Sequence, residues 1–288
     1  MRVVLDGGVC FDRFGACYNY HMQVVPRLVE QGISVTVTPS PTGALDALTG
    51  SGAEITQTVL PRGSWLPNGA VRRSLSRIKR KLEAWRWNRL LDRSPEPVIF
   101  QSFYYSSPPT PNAVFVPMIL DMIQEKFPQW YAHEFDVLKK MKLDCVRKAT
   151  RIIAISEVTR QDAIDYYGLD PAKVDVVYLG IHPDFDRPAA SADLEAMRAQ
   201  LGIQNPFFLQ VGGRALHKNV ERMLIGFAEY ASEEKIDLVC AGEQWSESEK
   251  AQIAALGLSG RVHLVHRPNQ SELVALYQLS QGLIYPSI

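Results

Sequence analysis

The residues best suited to chemistry on an anionic ligand lie between positions 207 and 219, in the run FFLQVGGRALHKN. Phe207 to Val211 is an apolar stretch of strand length. Gly212 and Gly213 end it, Arg214, Lys218 and Asn219 follow, and Val220, Met223, Leu224 and Phe227 then repeat at helical spacing. A buried strand, a glycine turn and a helix start are the parts of a phosphate cradle. The glycines let backbone approach the ligand, the helix N-terminus presents free N–H groups, and two cations neutralise anionic oxygens. The run is neither the GxxxxGK[ST] loop nor the GxGxxG fingerprint. It fits equally a plain β–α turn with a solvated arginine and lysine, so the remaining chain has to decide.

Other candidates are fewer. Asp121 follows the apolar run 113–120, a carboxylate at the carboxyl end of an expected strand, where open α/β sheets place ligands. Gly15 and Ala16 sit in the first strand-to-helix loop. His266, Arg267 and Pro268 follow the run 262–265, where Arg267 is either part of a base pocket or simply solvated. Ser156 reads as an N-cap, a structural role. Cys10, Cys17, Cys145 and Cys240 form no CxxC and have no zinc-ligand spacing with the histidines, which suits reduced thiols in a cytoplasmic protein. Neither metal nor cofactor is expected, because the two cations can neutralise the anionic ligand.

The elements that must position these residues form a regular series. Val3–Leu5 reads as a strand, residues 18–31 as a helix that Pro26 kinks or shortens, and 33–38 and 54–60 as strands. Residues 97–100 read as a strand, with Gln101 to Ser106 as a polar aromatic loop, and 113–120 as the next strand. A helix over 133–149 buries Phe135, Leu138, Met141 and Val146. Strand 151–155, a helix ending before Gly168 and strand 174–178 follow. Gly180 to Pro188 is turn-rich, and the domains are expected at 1–183 and 184–288. The second then cycles as helix 192–201, strand 207–211, helix 219–230, strand 236–241, helix 247–256, strand 262–265, helix 271–280 and strand 282–285. The expectation is an α/β fold with two Rossmann-like parallel sheets whose carboxyl edges face a cleft. The chain ends past an expected buried strand that a crossover helix should cover, so the second domain reads as truncated.

Bulk properties narrow the function. Thirty-one basic residues balance thirty-one acidic ones, and 46% of residues are hydrophobic, so the chain is globular and no general nucleic-acid binder. Asp6 comes too early for a signal peptide, and no apolar run reaches the ~20 residues of a membrane span. One segment departs from neutrality. Across 71–93, Val71, Leu75, Ile78, Leu82 and Trp85 make an apolar stripe among nine cations, opposed by Glu83 and Asp92. It reads as a helix packed on the sheet with a solvated basic face, or as a docking element for the anionic inner face of a membrane.

Three ordered motifs carry a family resemblance across nearly the whole chain. The run IIAISEVTRQDAIDYYGLDPAKVDVVYLGIHPDF (152–185) resembles the signature of family-4 nucleotide-sugar glycosyltransferases of the GT-B fold. FLQVGGRALHKNVERMLIGFAEY (208–230) resembles their donor-phosphate segment, and ELVALYQLSQGLIYPS (272–287) their LxxLYxxAxxxVxPS element. In that family an E-G-F-G turn and a Glu-x7-Glu helix come next. VFVPMILDMIQEKFP (114–128) resembles the acceptor-side segment with Leu120 in place of its histidine and Asp121 retained. In FQSFYY (100–105), Gln101 replaces another family histidine, and the usual G-I-G near Gly15 is absent.

The resemblance implies metal-independent transfer of a sugar, with retention, from a nucleotide-diphosphate donor to a glycan or lipid-linked acceptor in polysaccharide, lipopolysaccharide or other glycoconjugate biosynthesis. It assigns Arg214, Lys218 and Asp121 to catalysis, and Gly15, Gly212, Gly213, Arg214, Lys218, Asn219, His266 and Arg267 to donor binding. The chemistry agrees, because charge growing on a departing diphosphate calls for cations and backbone N–H groups. Two rivals stay open: a non-catalytic nucleotide-sugar-binding protein and a sugar-nucleotide epimerase-like enzyme. A Rossmann dehydrogenase ranks last, for want of GxGxxG.

Overall fold

The computed structural model describes residues 1–8, 10, 15–40, 42–55, 97–103, 106, 108, 112–131 and 135–288. Segment 71–93, the end of the expected strand 54–60 and the start of the helix expected at His133 lie outside them. The chain divides into two compact units, Met1–Gly180 and Ile181–Ile288.

In the first unit, seven strands form one sheet: β1 (Arg2–Leu5), β2 (Ser34–Val37), β3 (Glu54–Ile55), β4 (Val98–Phe103), β5 (Val114–Ile119), β6 (Ile152–Ala154) and β7 (Val174–Val176). All pairs are parallel and the order is β3-β2-β1-β4-β5-β6-β7. Helices α1 (Ala16–Glu30), α2 (Ile123–Lys126), α3 (Phe135–Lys148) and α4 (Glu157–Tyr167) connect them. Alternation along β1 divides the core between the two faces. Val3 and Leu5 join Val35, Val37 and Val25 of α1, while Val4 joins Phe100, Phe115, Ile152 and Val146 of α3. Ser156 caps α4, its Oγ accepting from Thr159 N at 3.1 Å, and Gly168 ends that helix at φ 62°.

Three expectations are corrected here. Gln101, Ser102 and Phe103 are buried strand, not loop, because β1 and β5 both pair along β4 and give its polar backbone partners. Pro26 lies inside α1 and does not shorten it, because the helix continues to Glu30. On α3, Val146 is buried but Met141 is 37% exposed, and its neighbour Lys142 is buried instead. Phe135 and Leu138 lie outside the residues whose side chains are described.

The second unit holds β8 (Phe207–Val211), β9 (Asp237–Gly242), β10 (Val262–His266) and β11 (Gly282–Leu283), parallel in the order β10-β9-β8-β11. Helices α5 (Ser191–Leu201), α6 (Val220–Glu233), α7 (Glu247–Ala255) and α8 (Gln270–Leu279) complete it. Leu238 and Cys240 pack with Met223, Leu224 and Phe227 of α6, while Leu209, Val239 and Val265 pack with Met197 of α5 and Leu276 of α8. The strand expected at 282–285 is β11, two residues long, with Leu283 48% exposed, and among the described residues its sheet neighbour is β8.

Candidate active site

In both sheets the first strand stands inside the order, with the second and third on one side and the fourth on the other. The strand order therefore reverses at β1/β4 and at β8/β11, and open parallel sheets bind ligands outside the carboxyl ends of such strand pairs. At β8/β11 the loops meet directly. Lys218 Nζ donates to Tyr285 Oη at 2.5 Å and lies 4.7 Å from the centre of that ring. Asn219 Nδ2 donates to Pro286 O at 3.3 Å, and Ile288 N to His217 O at 3.0 Å. The bond from Lys218 holds the Tyr285 phenol below its ordinary pKa.

Asn219 begins α6 in the left-handed region, at φ 55°, and its side chain does not cap the helix. The first N–H groups of a 14-residue helix thus open beside Lys218 without a side-chain acceptor. Gly212, at φ 110°, turns the chain out of β8, and its carbonyl lies where a Cβ on Gly242 would come within 2.7 Å. Only glycine at 242 lets the two strand ends approach so closely.

Arg214 is not the solvated side chain of a plain turn but is engaged within the fold. Its side chain is 7% exposed. Nε donates to Glu249 Oε1 at 2.6 Å, Nη1 to Glu243 O at 2.9 Å and Nη2 to Gln244 O at 2.6 Å, with Cζ 4.3 Å from the Trp245 ring centre. Burial pushes the Glu249 carboxyl up, but the bonds from Arg214 and Ser246 outweigh it and hold the group below the ordinary range. After β10, Arg267 adopts φ 47° and pairs with Glu243 at 2.8 Å, while His266 Nε2 lies 3.7 Å from the same carboxylate. The bond from Arg267 holds Glu243 low. Gly212, Gly213, Arg214, Lys218, Asn219, His266 and Arg267 therefore share one carboxyl edge, tied loop to loop by Glu243 and Arg214.

Gly15 and Asp121 belong to the carboxyl edge of the first sheet. Gly15 precedes α1 at φ 90°. Asp121 follows β5 with its side chain 35% exposed, and Oδ1 accepts from Ile123 N at 3.3 Å. Beneath it Lys142 is bonded to Glu125 at 3.0 Å, to Gln124 Oε1 at 2.7 Å and to Asp121 O at 3.3 Å. At β1/β4, buried Asp6 accepts from Gly8 N, Thr38 Oγ1 and Ser106 Oγ. Nearby His21 is fully buried, its Nδ1 2.7 Å from Cys17 O, and burial lowers its pKa. Among the described residues, no group of three or more His, Cys, Asp or Glu is arranged to hold a metal ion, and no helix is long and apolar enough to cross a membrane.

Glu243, Trp245, Glu249 and Tyr285 were not among the sequence candidates. The rule that points to Asp121, a carboxylate at a strand's carboxyl end, also applies to Glu243 after β9. The Ser246-x-x-Glu249 spacing signals a capping box, which the structure contains.

Comparison with known proteins gives a consistent picture. The model for Glycosyltransferase Family 4 matches residues 19–185, and that for Glycosyl transferases group 1 matches 193–288. The O-antigen chain mannosyltransferase RfbU of Salmonella typhimurium is 24% identical over 155 residues, 54% of this chain but only 39% of that protein. Among solved structures, WaaG, a glycosyltransferase involved in lipopolysaccharide biosynthesis, is similar over 100% of this chain and 75% of its own, at TM-score 0.67 and 16% identity. HepE of Anabaena, solved with UDP and glucose, is similar over 100% and 74%, at TM-score 0.66 and 13% identity. These likenesses show the fold, GT-B with two Rossmann-like units.

Proposed function

The chain belongs to Glycosyltransferase Family 4, whose model matches more than half of it, and from that membership we propose that it transfers a sugar from a nucleotide-diphosphate donor to an acceptor hydroxyl in lipopolysaccharide, O-antigen or related glycoconjugate assembly. The donor is assigned to the second unit and the acceptor, a glycan or lipid-linked glycan, to the first, with Asp121 at its edge. The observation that carries the reading is the β8/β11 switch point, where Lys218 stands beside the start of α6. As the bond to the anomeric carbon breaks, negative charge accumulates on the departing diphosphate. A lysine held by one phenol can turn to it, and helix N–H groups aimed at it need no reorganisation.

Arg214 is the second cation of this reading, and with Lys218 it takes the charge-neutralising role a metal would otherwise fill. The transfer is proposed to retain anomeric configuration and to need no metal. Gly212, Gly213, Asn219, His266 and Arg267 complete the proposed donor-side set of the second unit, Gly15 is a proposed binding residue of the first, and segment 71–93 is the proposed contact with an anionic membrane.

Thermal-shift and calorimetric titration of UDP, GDP, dTDP and ADP against the natural protein tests the reading. At least one should bind, and Lys218→Ala and Arg214→Ala should each weaken it about 10- to 100-fold, the loss of a charge-assisted contact. Binding of none, or unchanged affinity in both folded variants, sinks the assignment.

A further inference from the structure

The Arg214 guanidinium is held before any ligand arrives. Glu249 takes the Nε hydrogen, the carbonyls of Glu243 and Gln244 each take one hydrogen from Nη1 and Nη2, and Trp245 covers one face. Those contacts use three of the five N–H donors and leave one hydrogen on each Nη. Glu249 is itself fixed. Its second oxygen accepts from Ser246 N and Oγ, both at 2.7 Å, in the capping box that starts α7. The carboxylate cannot turn away from Arg214 without undoing that helix start.

We propose that Glu249 is a positioning residue for donor binding, acting through Arg214 and not touching the donor. It sits at N3 of α7, behind β9, and reaches the one nitrogen of Arg214 that cannot take part in an Nη1/Nη2 fork. A long side chain loses rotamer freedom when it binds a ligand, and one already fixed loses less. Glu249 therefore acts on the diphosphate part of the ligand and leaves the nucleoside part alone. The proposal rests on the donor reading above.

The test uses the natural protein, the nucleoside diphosphate that wild type binds among UDP, GDP, dTDP and ADP, and the matching nucleoside as second probe. Glu249→Ala should weaken the diphosphate about 5- to 20-fold and leave the nucleoside within about twofold. The Arg214→Ala/Glu249→Ala pair should be no weaker than Arg214→Ala, because the two residues act as a unit. Glu249→Gln, which keeps an acceptor oxygen for Nε, should recover most of the loss, and Glu249→Leu, which removes the acceptor but keeps the bulk, serves if the alanine variant does not fold. Ser246→Ala, which removes one of the two bonds to Glu249 Oε2 but keeps the backbone N–H bond and the Arg214 contact, should lower the melting temperature and shift the ratio of the two affinities less than Glu249→Ala does. Equal or tighter diphosphate binding by Glu249→Ala makes Glu249 a competitor for Arg214 and overturns the proposal. So do additive losses in the pair, or losses shared equally by both probes. If no diphosphate binds wild type, the donor reading fails first and the proposal with it.

Discussion

Replacing Lys142 with methionine keeps the length of the side chain and removes its charge from a site where both partners are 1% exposed. Lys142 Nζ bridges Glu125, Gln124 and the Asp121 carbonyl, and Tyr167 Oη donates to the other Glu125 oxygen at 2.5 Å. The pair thus joins α2, α3 and α4 beneath the turn that carries Asp121. Without Lys142 the Glu125 carboxylate stays buried with a phenol but no cation, which costs about 3–5 kcal/mol. For a unit of this size that lowers the melting temperature by roughly 6–20 °C. Removing the stranded charge as well, in Lys142→Met/Glu125→Gln, should recover more than half of the loss, since the amide oxygen still accepts from Tyr167. Urea denaturation of wild type, both single variants and the double variant gives the coupling energy directly. A Lys142→Met loss below about 1 kcal/mol, or a double variant as unstable as the sum of the singles, refutes the claim that the pair is a closed unit.

The remaining predictions concern pH and surfaces. Burial depresses the His21 pKa below its ordinary 6.5, so the unfolded chain takes up a proton first as pH falls, and the stability present above 6.5 is lost below it. Urea midpoints between pH 7.5 and 5 should fall for wild type and fall less for His21→Phe; parallel curves refute the sign. The nine cations across 71–93 should bind anionic vesicles at low salt and release them near 1 M, where the Debye length is about 3 Å. Changing Arg77, Lys79, Arg80 and Lys81 to Ser should abolish co-sedimentation, and equal binding to neutral vesicles counts against membrane docking.

Much of the fold is legible in the chain because apolar periodicity is a local property. The strand before Gly212, the helix stop at Gly168 and the cap at Ser156 each depend on a few neighbouring residues. So does the chemistry of the 212–219 loop, whose glycines and cations are adjacent in sequence. Strand order is different. The switch points at β1/β4 and β8/β11 require knowing which strands pair, and Lys218 meets Tyr285 only because β11 adds beside β8.

Charge pairing is where reading along the chain stops. Periodicity on α3 places Met141 inward, yet Lys142 is the buried neighbour, because Glu125 arrives from α2 to pair with it while Tyr167 of α4 donates to the other Glu125 oxygen. Along the chain Arg214 reads as a cation for anionic oxygens or a solvated side chain, and the fold engages it with Glu249 and two carbonyls from the next strand's loop. The physical reason is direction. Hydrophobic burial is additive and nearly indifferent to which apolar partner a side chain meets, so residue type and spacing suffice to read it. A buried charge is stable only against particular atoms at hydrogen-bond distance, and those atoms come together only when the chain has folded.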